Sequence, residues 1–235
     1  MTGLVYKEWK QNRLFILSMI LCGTAPLLAL LLIRGALPDT GDTPLRIGGL
    51  ITGFLAAGAL QMLVLRGDDR RQWSRWITAT PDGYKGFLRV KYEMIFAMVV
   101  LFLFSLQFTD MLYCAVAADI GKTEITQISG AVVLLGFVQI LFRAIDIPFF
   151  YRFGSKKGSF IKLICVVVFV IFLVVLILLN ADHLNNIIDT CREIFTGYNS
   201  SLILSAGLVV CTALYYLSYR ITCKLYLKGA EQYDH

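Results

Sequence analysis

Charge is scarce in this sequence. Only 16% of its 235 residues are Asp, Glu, Lys or Arg, against roughly 25% in a soluble domain. Histidine is scarcer still: His183 and His235 are the only two. With no HExxH pattern either, a histidine-built metal centre is not expected. No CxxC occurs, which leaves neither a zinc site nor a disulfide framework indicated. Cys22, Cys114, Cys165, Cys211 and Cys223 lie within or beside apolar runs and read as small packing residues, while Cys191 lies in a polar segment. No GxSxG offers a serine nucleophile. Gly121-Lys122-Thr123 matches the end of a phosphate-binding loop, but Val116 stands where its first glycine is required. The chain therefore carries no nucleotide, metal or cofactor site of its own and does not read as an enzyme. Sustained period-two alternation is absent, which excludes an outer-membrane barrel.

What the sequence has instead is apolar length. Hydrophobic residues make up 57% of it and the mean hydropathy is +0.70. A soluble fold of this size cannot hide that much apolar surface. Disordered chains, coiled coils and soluble enzymes are excluded. The expected fold class is an all-α integral membrane protein.

A helix crosses the hydrocarbon with ~20 mostly apolar residues. Six segments qualify: 14–33, 47–65, 94–118, 128–150, 160–179 and 201–219. The first exceeds the usual h-region of a signal peptide, ~7–15 residues, and reads as a retained span. Lys and Arg distribute unevenly around the six. Lys7, Lys10, Arg13, the run Arg66 to Lys91, Arg152 to Lys162 and the tail Arg220 to Lys228 fall on one side. The other side has only Arg34, Arg46, Lys122 and Arg192. The positive-inside rule places both termini in the cytoplasm of a multi-pass cell-membrane protein. Topology and anionic lipid headgroups account for the net charge of +6, and nucleic acid is not expected as a partner.

Residues 1–13 read either as an interfacial helix, with Val5 and Trp9 one turn apart, or as a basic flank of span one. Gly49, Gly53 and Ala57 in span two form a small-residue stripe suited to close helix packing, against this chain or a second copy. Pro26 and Pro148 are candidate kinks. The longest polar stretch, 66–93, is cytoplasmic by the charge count. Arg70, Arg71, Trp73, Arg75 and Trp76 give it a short amphipathic segment, and Pro81-Asp82-Gly83 signals a turn. Aromatic side chains beside arginines suit a protein-docking contact, although an aromatic belt at headgroup level is the other reading. Outside, 180–200 carries apolar residues at helical spacing.

Ionisable residues inside spans are functional candidates by default. Asp110 sits in the outer half of span three. Arg143 and Asp146 sit in span four at i,i+3, close enough to pair. Each serves either as part of a polar pathway or gate, or as a structural group.

The start Gly3-Leu4-Val5-Tyr6-Lys7-Glu8 resembles the opening of small permease subunits of type-2 ATP-binding-cassette exporters. The turn Ile147-Pro148-Phe149-Phe150-Tyr151-Arg152-Phe153-Gly154-Ser155-Lys156-Lys157-Gly158 is similar to their IPxxxKFGxxKG signature, with Arg152 in place of lysine. The tail Ser218 to Lys228 and the segment Trp76 to Tyr92 also resemble theirs. The Arg143/Asp146 pair departs from that pattern. Such permeases serve antimicrobial-peptide, bacitracin and phenol-soluble-modulin export in bacterial plasma membranes.

The resemblance implies a second permease copy, as homodimer or heterodimer, and a separate ATPase chain that binds ATP and Mg. It makes residues 1–13 an elbow helix and the 66–93 loop the coupling segment. The cargo would be an amphipathic peptide or hydrophobic compound. The runner-up is a membrane scaffold or sensor subunit that transports nothing.

Overall fold

The computed structural model describes residues 2–34, 42–66, 83–119, 130–154 and 200–231. All five stretches are helical: α1 Thr2–Arg34, α2 Asp42–Arg66, α3 Gly83–Asp119 and α5 Ser200–Glu231, with α4 over Gly130–Gly154. Each contains a stretch long and apolar enough to cross a membrane. The expected span 160–179, the loop 180–200 and the Arg70, Arg71, Trp73, Arg75 and Trp76 cluster lie outside the described residues.

Several boundaries differ from the sequence expectation, always by helix continuing into charged sequence. Residues 1–13 and span one form one helix of 33 residues, about 50 Å long at ~1.5 Å per residue. Neither Gly nor Pro falls between Leu4 and Phe15 to end it. The helix also runs through Pro26, which forgoes one backbone hydrogen bond. α2 starts ahead of Ile47 and takes in Arg46. Its Pro44 stands in the first turn, where a backbone N–H has no intrahelical partner anyway. α3 starts at Gly83 rather than Met94, so residues 83–93, expected as loop, are its first three turns. Gly83 has a φ of 57°, the left-handed conformation that suits glycine, at the start of the helix. Beyond it, Arg89 and Glu93 pair at i,i+4, 2.8 Å apart, on an exposed face. α4 continues past Phe150 to Gly154, whose φ of 75° suits a helix C-terminus. α5 continues past Tyr219 and carries Arg220, Lys224 and Lys228 as helix.

The chain divides into two units, Met1–Ile140 and Leu141–His235. In the first, α1 packs against both α2 and α3. Met19 and Leu27 of α1, Leu50, Ala57 and Val64 of α2, Met98, Phe102 and Leu106 of α3, and Val132 of α4 form its core. Glycine sets the closest approaches. A methyl group on Gly53 would lie 2.6 Å from the backbone oxygen of Cys22, and one on Gly23 would overlap the Ser105 hydroxyl and crowd the α3 backbone. The small-residue stripe of α2 thus packs against α1 of the same chain. In the second unit, Ser218 Oγ of α5 donates to the backbone oxygen of Ala144 at 2.5 Å. The rings of Tyr151 and Tyr226 meet edge to face, 5.7 Å between centroids.

The outward surface is apolar. Leu14, Leu17 and Leu21 of α1, Leu55 of α2, Phe104 and Met111 of α3, and Val209, Val210 and Leu217 of α5 are exposed. Such a surface is at odds with water and compatible with lipid.

Candidate functional site

Three ion pairs are buried among the described residues, and two of them join different helices. The first centres on Glu8 of α1. Its Oε2 accepts from Lys91 Nζ of α3 at 2.6 Å and from Asn12 Nδ2 at 3.0 Å. Its Oε1 accepts from Lys7 Nζ at 2.6 Å. The side chains of Lys91 and Glu8 are 0% and 1% exposed, so the carboxylate has exchanged water for three donors. Phe87, one turn before Lys91, is flanked by the ammonium groups of Lys7 and Lys91 at 5.7 and 5.8 Å from its ring centroid. Beside this cluster lies an apolar groove of about 400 Å³, lined by Val5, Trp9 and Ile16 of α1 and Val90, Met94 and Leu101 of α3.

The second pair joins α2 to α3. Arg46 Nη2 donates to Asp110 Oδ1 at 2.5 Å and lies 3.5 Å from Cys114 Sγ. The guanidinium also sits over the Tyr113 ring, 4.9 Å from its centroid. These side chains are 3% and 0% exposed. The sequence expectation singled out Asp110 as an intramembrane charge and counted Arg46 with the loop before span two; the structure pairs the two. Arg46 opens α2 and Asp110 stands toward the end of α3, and those two ends meet at this pair.

Lys91 and Asp110 are separated by about 28 Å along α3 at ~1.5 Å per residue, a distance comparable with the ~30 Å thickness of a bilayer's hydrocarbon. Burying each charge against an opposite one avoids the large cost of an isolated ion.

The third pair is the expected one within α4. Arg143 Nη1 and Asp146 Oδ2 lie 3.0 Å apart at i,i+3, with side chains 8% and 1% exposed. The charges meet without a well-aligned hydrogen bond between those two atoms, and Arg143 Nε likewise has none among the described residues. This is weaker geometry than the interhelical pairs have. Two buried amides, Gln61 of α2 and Gln139 of α4, also lack hydrogen-bond partners among the described residues.

None of these groups forms a catalytic constellation. Among the described residues no three His, Cys, Asp or Glu gather as a metal site. What the cluster geometry does is fix helix register, since a dry ion pair tolerates little displacement.

A multi-helical chain with an apolar outward surface and its buried charges held in ion pairs is the form of a membrane domain, and comparison with known proteins says of which kind. Residues 5–227 match the family model described as ABC-2 family transporter protein. The chain belongs to the ABC-2 transporter family. No curated protein and no solved structure matches it. An ABC-2 membrane protein is the transport component of an ATP-binding-cassette system, and nucleotide hydrolysis normally resides in a separate subunit. The match runs through all five described helices and both interhelical ion pairs. Glu8, Asn12, Arg46 and Lys91 therefore belong to the membrane domain itself. Sequence reasoning missed all four as site residues. For Glu8 and Lys91, 83 positions apart, no local pattern pointed to their meeting.

Proposed function

We propose that this chain is the permease subunit of an ABC exporter, with 160–179 as its remaining span and both termini in the cytoplasm. Two permease copies, identical or closely similar, line the pathway between them. A separate ATPase chain docks on the cytoplasmic segment around Arg70, Arg71, Trp73, Arg75 and Trp76, and its ATP-driven closure switches the pathway from inward-facing to outward-facing. The cargo is an amphipathic peptide or hydrophobic compound, in keeping with an outward surface rich in large apolar side chains. Asp110, Arg143 and Asp146 serve structure in this reading, Asp110 as the partner of Arg46 and Asp146 as the partner of Arg143. The family match over residues 5–227 carries the proposal, and the basic cytoplasmic segment supplies the site for the motor.

The test is the Trp73→Ala/Trp76→Ala double variant. Insertion should persist, because no span is touched. A hot-spot truncation of ~2 kcal/mol weakens association about 30-fold, so the ATPase should no longer co-purify and its hydrolysis should lose stimulation by the permease. Wild-type coupling in this variant would remove the docking assignment and leave the tryptophans as a membrane belt.

A further inference from the structure

The first turns of α3 follow directly on the segment assigned to the ATPase, and they are gripped by the first turns of α1. We propose that Glu8 and Lys91 are positioning residues that transmit movement of that segment into the membrane domain, by locking α3 to α1 so that the two helices shift together. The inference rests on the ATPase docking at 66–82.

α3 is one helix from Gly83 to Asp119. A displacement applied at Gly83 therefore passes along the helix axis rather than being absorbed in a joint. At Lys91, two turns in, the helix meets a carboxylate of α1 in a dry contact of 2.6 Å. Asn12 adds a second tie on α1, holding the same carboxylate at 3.0 Å and approaching Met94 Sδ of α3 at 3.8 Å. Phe87 closes the contact from the side nearer Gly83.

Stability alone does not call for charge here, because an apolar pair of similar volume commonly serves as well or better. The difference is mechanical. Apolar side chains re-register at small cost as helices slide, whereas separating opposite charges in a medium of low dielectric is steeply unfavourable. α1 in turn carries α2, whose Gly53 lies flush against the Cys22 carbonyl. Movement entering at Gly83 thus reaches three helices, with the ion pair holding α1 on α3 near the point of entry.

The experiment uses the permease co-expressed and purified with its cognate ATPase chain. In Glu8→Gln/Lys91→Met both charges are replaced by side chains of similar size, so neither is left buried alone. The expected result is normal accumulation and unchanged co-purification of the ATPase, with stimulation of ATP hydrolysis reduced about 10-fold, within the range that coupling residues reach. Lys91→Arg, which retains the charge and its donors, should keep most of the stimulation. Full stimulation in the double variant would overturn the proposal. So would loss of ATPase co-purification from a correctly folded double variant, since the pair would then belong to the docking contact. Should the double variant fail to accumulate, Glu8→Asp draws the carboxylate back by one methylene. It should lower stimulation at unchanged binding, and undiminished stimulation there would equally refute transmission. Failure of the underlying docking reading shows separately, as wild-type coupling in Trp73→Ala/Trp76→Ala.

Discussion

Removing Asp110 should cost far more than removing Asp110 and Arg46 together. The Arg46 guanidinium is 3% exposed and faces the Asp110 carboxylate, the Cys114 thiol and the Tyr113 ring. Of these three only the carboxylate carries a full negative charge. Asp110→Ala takes that counter-charge from a buried guanidinium, and breaking such a pair typically costs 3–5 kcal/mol. The Cys114 thiol and the Tyr113 ring stay in place, so the lower end, about 3 kcal/mol, is expected. For a chain of this size that lowers the thermal midpoint by roughly 6–12 °C. In Arg46→Met/Asp110→Leu no charge remains to be solvated, and the midpoint should return to within about 1 kcal/mol of wild type or exceed it. The assay is thermal unfolding of the purified protein in detergent for Asp110→Ala and for the cycle of Arg46→Met, Asp110→Leu and their double variant. An interaction of about 3 kcal/mol is expected from the cycle. Single losses that add to the double loss within ~0.5 kcal/mol would refute a direct pair.

The two small residues Gly53 and Gly48 of α2 separate packing from propensity. Gly53→Ala pushes a methyl group to 2.6 Å from the Cys22 carbonyl and should destabilise by ~1–3 kcal/mol. Gly48→Ala meets nothing within 4 Å and should be neutral or stabilise by up to ~1 kcal/mol, both read as thermal midpoints. In α4, Asp146→Ala should lower the abundance of the subunit and Arg143→Ala/Asp146→Ala should be milder, measured by membrane immunoblot. Additive losses would show that the two do not interact. For topology, membrane-impermeant thiol labelling of intact cells should reach cysteines introduced at Asp39, Thr123 and Asn186 and spare Gly83 and Ser155. Labelling at Gly83 would reverse the orientation.

How much was legible in the sequence differs from feature to feature. Helix class and membrane residence follow from composition and run length, because lipid imposes one solution on any long apolar segment: a helix that satisfies its own backbone. Each of the five described helices contains an apolar stretch long enough to cross a membrane where the sequence reading expected a span. The helix ends differ from that reading, because hydropathy marks where the lipid-facing stretch stops and not where hydrogen bonding stops. Tyr84 to Glu93 is polar enough to read as loop yet lacks a helix breaker after Gly86, and α3 runs through it. The continuity of residues 1–13 with span one has the same cause.

The charged site divides along a similar line. Asp110, Arg143 and Asp146 stood out because an ionisable residue in hydrocarbon is costly wherever it occurs, and the Arg143/Asp146 pairing was readable from i,i+3 spacing on one helix. Lys91 was hidden among residues whose charge the positive-inside rule already explained, and Arg46 was counted among the few loop charges of the other side. Glu8 looked like one polar residue in a basic flank. Their roles depend on which helix faces which, and that was decided by Gly23 and Gly53 letting α3 and α2 close onto α1. Single-helix periodicity carries the need of each buried charge for a counter-charge, but not the identity of the partner. That identity comes into being only when the helices pack.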